Sequence, residues 1–213
     1  NIRPENRAYF YNYVYNNCAT KIRDVLSVVY GEDLEFISMP ENKSFRQLMD
    51  LYLFNNKWGD LGIDICLGPE IDYNVSFNEE MFLPEYLFKG IGDALINGDK
   101  KIISKTNIIN TQKALFQNHF LNPIFVFLIF FILSIYLSFR QIKYHINYIY
   151  FDVLTFLFSG IIGCLLVYLW VFTDHLSAFN FNIIWAMPLN IIISLLLLIN
   201  LKSNLIKWYF FLY

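Results

Sequence analysis

From Leu121 to Phe139 the chain reads LNPIFVFLIFFILSIYLSF, nineteen residues without a charged side chain. As a helix rising about 1.5 Å per residue, such a run is long enough for a hydrocarbon core roughly 30 Å thick. In lipid every backbone N–H and C=O has to be satisfied internally, so this stretch commits its part of the chain to helix. Ile149–Phe172 and Phe181–Leu201 are two further long apolar runs, and a fourth begins near Leu205. The chain therefore divides into a soluble part, residues 1–118, and a membrane part, residues 119–213, with full spans expected at about 121–139, 149–172 and 181–201.

The charges orient these spans. Arg140 and Lys143 lie between the first two runs and Lys202 and Lys207 follow the third, whereas Thr173–Asn180 has no Lys or Arg. Basic loops stay on the cytoplasmic side, so Thr173–Asn180 and the amino-terminal part are expected outside. His145 then falls inside, leaving His119 and His175 as the histidines able to reach the outer face. Within the third span Asn190 has to find a polar partner and Pro188 frees a backbone carbonyl. Asn190 is read either as a helix-packing contact or as a substrate contact. With His175 and Asn182 it forms the low-specificity set of headgroup candidates.

A mean hydropathy of +0.41 averages these unlike halves. The net charge of −2, with no stripe of Lys and Arg among aromatics, excludes a nucleic-acid partner. The chain begins with Asn and stops inside an apolar run, and is read as a fragment of a longer protein.

In the soluble part the informative stretch is Tyr15–Asp24. Ile22, Val25, Leu26 and Val29 recur at helical spacing, Gly31 follows as a stop, and Asn16 or Asn17 is the N-cap. Cys18 then stands in a first helical turn, where free N–H groups and the positive helix end favour thiolate over thiol. The same N–H groups, with Asn17 and Ala19 flanking the sulfur, are candidates to hold the oxyanion formed when a thiolate attacks a carbonyl. The plain alternatives are a small packed apolar residue, or a disulfide to Cys66. With cysteines at 18, 66 and 164 and no C-x-x-C pair, no zinc or other metal site is indicated.

The rest of this part reads as mixed α and β. Arg7–Tyr15 is an aromatic strand or extended lead, and Ser44 opens a helix through Phe45, Leu48, Met49, Tyr52 and Leu53. Trp58–Gly68 is a turn or two of helix packed on the core, its Asp60 and Asp64 a solvated edge. Asn78 caps a helix running through Ile91 and Leu95, with Met81, Phe82 and Leu83 inward. Lys100–Lys113 suggests a short hairpin or edge strand.

Several stretches resemble the lipoprotein N-acyltransferases of Bacteroides-type bacteria, the Lnb family, which join an amino-terminal periplasmic domain to a five-helix membrane domain. They are Tyr13-x-x-Asn-Asn-Cys-Ala-Thr-x-x-Arg-Asp24, Ser44-Phe45-Arg46-Gln47, Leu61-Gly62-Ile63-Asp64 with Leu67-Gly68, and Glu80-Met81-Phe82-Leu83-Pro84. Thr173–Asn182 and Met187-Pro188-Leu189 are similar to the membrane domain's signature. The Asn-Cys pair also resembles permuted papain-like acyltransferases, in which a histidine precedes the cysteine. Here no histidine precedes His119, so that base is expected upstream of Asn1.

The resemblance implies an α+β, papain-like and permuted soluble domain, present in part, followed by an all-α polytopic transmembrane domain in a bacterial inner membrane. It implies a phospholipid acyl donor, a Cys18 thioester and a diacylated lipoprotein as acceptor, with no cofactor. Arg23 is then either a phosphate contact or one half of a structural ion pair. The competing readings are a membrane-tethered cysteine hydrolase, with water in place of the amine, and a non-catalytic envelope anchor.

Overall fold

The structure, a computed structural model, describes residues 8–101, 122–199 and 208–209. His119 lies outside the described residues, as do Arg7, the end of the expected 100–113 hairpin and the start of a fourth span. Contacts divide the chain into two compact units. One takes in the described residues up to Phe54 and those from Ile71 to Lys101; the other joins Asn55–Glu70 to the described residues from Asn122 on.

The first unit opens on a turn closed by a bridge between Asn12 and Asn16, in place of the expected strand. Asn12 Oδ1 accepts from the Val14 and Tyr15 N–H groups, and this local bond competes with extended pairing. Helix α1 (Cys18–Tyr30) follows and ends at Gly31, whose φ of 59° favours glycine. The short α2 (Phe45–Leu53), α4 (Phe77–Glu80) and α5 (Pro84–Asp93) complete its helices, and β1 (Leu34–Glu35), β2 (Leu95–Ile96) and β3 (Lys100–Lys101) form an antiparallel sheet in that order.

The expected apolar face of α1 is not its packed face. Ile22, Val25 and Val29 are exposed, while Ala19 and Thr20 are buried. The helix docks through its first turn, with Ala19 packing in a core with Phe77, Met81 and Leu87. Gly90 allows α5 to close over this core, since a Cβ there would lie 2.6 Å from Met81 Sδ. The helix expected from Asn78 through Leu95 is two helices. Ser76 caps the first through a reciprocal bond with Glu79, the chain breaks at Met81, and Pro84 starts the second. Leu95 pairs instead with Glu35 and Lys101 across the sheet.

The second unit holds α6 (Pro123–Tyr144), α7 (Ile149–Phe172), a 3₁₀ turn at Phe181–Ile184 and α8 (Leu189–Leu198). Among the described residues, three segments are long and apolar enough to cross a membrane: Pro123–Tyr144, Ile149–Phe172 and Phe181–Leu198. The third is interrupted, with the chain leaving helix between Ile184 and Leu189. Gly163 and Gly160 let this broken segment approach α7 closely. A Cβ on Gly163 would sit 2.0 Å from Ala186 O and one on Gly160 would sit 2.6 Å from Ile191 N.

Helix α3 (Lys57–Cys66) belongs to this second unit and has no fully buried residue, so the expected turn packed on the soluble core is corrected. Its carboxyl-terminal carbonyls are held by the loop before the third segment and by the 3₁₀ turn that opens it: Asn180 Nδ2 donates to Ile65 O at 2.7 Å, and Asn182 Nδ2 to Asp64 O at 3.1 Å. Gly68 N–H donates to Leu176 O, and a Cβ on Gly68 would meet Ala178 O at 2.0 Å. The Leu61–Gly68 and Thr173–Asn182 stretches, far apart in sequence, thus form one structure.

Candidate active site

Cys18 is the first residue of α1, exposed and not disulfide-bonded; Cys66 and Cys164 are free thiols as well. Its position is fixed from beneath by Asn17, the N-cap. Asn17 Oδ1 accepts from Ala19 N–H at 2.8 Å and Thr20 N–H at 3.0 Å, while Asn17 N–H donates to Thr20 Oγ1 at 2.8 Å. These bonds satisfy donors that a helix start otherwise leaves open.

The amide nitrogen of Asn17 does more than cap. Its Nδ2 donates to Tyr13 O at 2.8 Å and to Phe82 O at 2.9 Å. Phe82 stands edge-on to buried Phe45, which in turn meets the rings of Tyr15 and Tyr73. Phe45 itself follows Ser44, whose bond with Gln47 caps α2. Three of the quoted stretches, Tyr13–Asp24, Ser44–Gln47 and Glu80–Pro84, therefore converge under the thiol.

Above this base, the Tyr9 hydroxyl lies 4.0 Å from Cys18 Sγ and Lys21 Nζ stands 5.1 Å from the centroid of the Tyr9 ring. Desolvation first, and then the hydrogen bond with Cys18, hold the Tyr9 pKa above its ordinary value, so the hydroxyl stays protonated at neutral pH. Sequence reasoning assigned the Tyr9–Tyr15 cluster to packing and missed this contact; a tyrosine nine residues before a cysteine carries no helical or strand periodicity to announce it.

The remaining candidates have other neighbours. Ala19 N–H is engaged by Asn17, whereas the Cys18 N–H has no partner among the described residues. Arg23 donates through Nε and Nη2 to Asp24 Oδ1, at 2.9 and 2.7 Å, and through Nη1 to Asn78 O at 2.5 Å, joining α1 to α4. In the second unit, Asn182 supports α3 and accepts from Trp185 Nε1 at 3.0 Å. Asn190 is fully buried, donating to Ser159 Oγ at 2.9 Å and accepting from the Tyr209 hydroxyl. His175 is exposed in the loop between α7 and the 3₁₀ turn. Among its described residues, the unit holding Cys18 contains no histidine.

The fold and this site define a membrane protein whose soluble domain presents a free, exposed thiol at a capped helix start. Residues 1–50 match the model of the Lnb N-terminal periplasmic domain, and residues 115–213 match that of the Lnb transmembrane domain. The chain belongs to the Lnb family, and its N-terminal domain is periplasmic. No curated protein and no solved structure matches it.

Proposed function

We propose that this protein is a lipoprotein N-acyltransferase of the bacterial inner membrane, with Cys18 as its nucleophile. The observation that carries the reading is the exposed Cys18 thiol at the start of α1, with an N–H on the same residue that has no partner among the described residues. In the first step the thiolate attacks an ester carbonyl of a phospholipid; a C–S bond forms, the ester C–O bond breaks, and the lysophospholipid alkoxide takes a proton. The Cys18 N–H stabilises the oxyanion and the Tyr9 hydroxyl, still protonated, donates towards sulfur before attack and after departure. In the second step the α-amino group of a diacylated lipoprotein cysteine attacks the thioester. A C–N bond forms, the C–S bond breaks, the thiolate is regenerated and the amine loses a proton.

The test is intact-mass analysis of the protein in detergent with phospholipid. A hydroxylamine-labile acyl adduct is expected, absent from Cys18→Ala and discharged by a diacylated lipopeptide with a free amino terminus. Discharge by water at the same rate, without acylated peptide, would identify a hydrolase; an unmodified Cys18 would overturn the covalent mechanism.

A further inference from the structure

Helix α3 carries a pattern that the membrane spans do not explain. Trp58, Leu61 and Ile65 fall at i, i+3 and i+7 on one face, while Lys57, Asp60 and Asp64 repeat the same spacing on the neighbouring face, about 100° round the helix. An amphipathic helix of a water-soluble domain turns its apolar face into a core. Here Trp58 is 47% exposed, Leu61 and Ile65 are only half-buried, and it is Asp60 whose Oδ1 is buried, with Lys57 Nζ 3.7 Å from its Oδ2.

The apolar face is continuous with a surface already assigned to lipid. The Trp58 and Phe127 rings are 6.4 Å apart, and Phe127 belongs to α6, a span of the matched transmembrane domain with only 6% of its apolar window buried inside the protein. The carboxyl-terminal end of α3 is pinned by Asn180, Asn182 and Leu176, so its rotation about its own axis is fixed. We infer that α3 rests Trp58, Leu61 and Ile65 on the phospholipid bilayer, an added membrane contact outside both matched stretches of the sequence. Tryptophan favours such a position because its ring is apolar and its N–H still meets water or headgroups.

The test places nitroxide labels, one at a time, at 58, 60, 61, 64 and 65 of the full chain in phospholipid vesicles, with Cys18, Cys66 and Cys164 replaced by alanine. Labels at Phe131 and Asn97 calibrate lipid and water. Severalfold higher collision with oxygen than with a water-soluble nickel chelate is expected at 58, 61 and 65, and the lower, water-like ratio at 64. Chelate access at 58, 61 and 65 equal to that at 97 would overturn the inference. So would shielding from both reagents, which would mean a protein partner covers the face. A second measurement keeps every residue of α3: with Trp170, Trp185 and Trp208 changed to Phe, brominated phospholipid should quench Trp58, and undiminished emission would count against bilayer contact.

Discussion

Asn17 Nδ2 donates to the carbonyl of Phe82 across 65 positions of sequence, at 2.9 Å, while its Oδ1 caps the helix that begins with Cys18. The residue therefore acts as acceptor towards its own helix and as donor towards the segment beneath it. Aspartate serves as well as asparagine at an ordinary N-cap, but here it would lose both donors and turn an oxygen against two carbonyls.

Asn17→Asp is accordingly expected to destabilise the Cys18 turn more than Asn17→Ser. Both variants lose the amide donors, which costs about 1–3 kcal/mol for buried carbonyls left unpaired, and the aspartate adds an oxygen facing them. Hydrogen exchange of the α1 amides in the full chain measures both losses; protection in Asn17→Ser equal to that of the unaltered chain would show that the bond to Phe82 contributes little.

Tyr9→Phe removes the hydroxyl 4.0 Å from Cys18 Sγ and keeps the ring under Lys21. Single-turnover acylation of Cys18 should slow by about tenfold, corresponding to ~1.4 kcal/mol of barrier, with thermal stability unchanged. An unchanged rate would exclude Tyr9 from the reaction.

The two glycine classes should separate sharply. Gly163→Ala places a methyl against Ala186 O and Gly160→Ala one against Ile191 N, whereas a Cβ on Gly62 of α3 meets nothing within 4 Å. Thermal unfolding in detergent should show both α7 variants destabilised. Gly62→Ala should be neutral or stabilising by roughly 0.5–1 kcal/mol, because alanine loses less backbone freedom in a helix.

Glu80 is fully buried, with Oε1 accepting from Glu41 N–H at 2.6 Å and Oε2 lacking a partner among the described residues. Burial first, with the Glu41 charge adding to it, raises its pKa above 4.5, although the Glu41 N–H, Lys89 and Lys43 pull the other way. A raised folded pKa means that the native state holds this proton more tightly. Its contribution is full below the unfolded pKa and is lost as pH rises through the folded one. Protection of the Phe77–Met81 amides should fall as pH increases above 4.5, and Glu80→Gln should flatten that dependence. An identical slope in the variant would assign the effect to another group.

Much of the local structure was legible. The Asn16–Asn17 pair and Ser44 marked helix starts because capping is a contact within one turn, the structure choosing Asn17 of the pair, and Gly31 marked a stop because few other residues take its φ of 59°. The exposed face of α1 was not legible, because periodicity reports where apolar residues lie on a helix and says nothing about what opposes them. The break between Ile184 and Leu189 was signalled by Pro188 alone and its extent was not legible, since hydropathy is blind to a peptide group drawn towards Gly163.

The candidate site divides along the same line. Sequence alone determined the membrane runs, the helix carrying Cys18 and the thiol's place at its start, all consequences of composition and of hydrogen bonds closed within a few residues. Only the tertiary structure decided that Phe82 supports Asn17, that Tyr9 reaches the sulfur, that Arg23 is tied to Asp24 and Asn78, and that α3 packs with the membrane helices. Those relationships are made by side chains and carbonyls distant along the chain, and a bond across 65 residues has no periodicity to betray it.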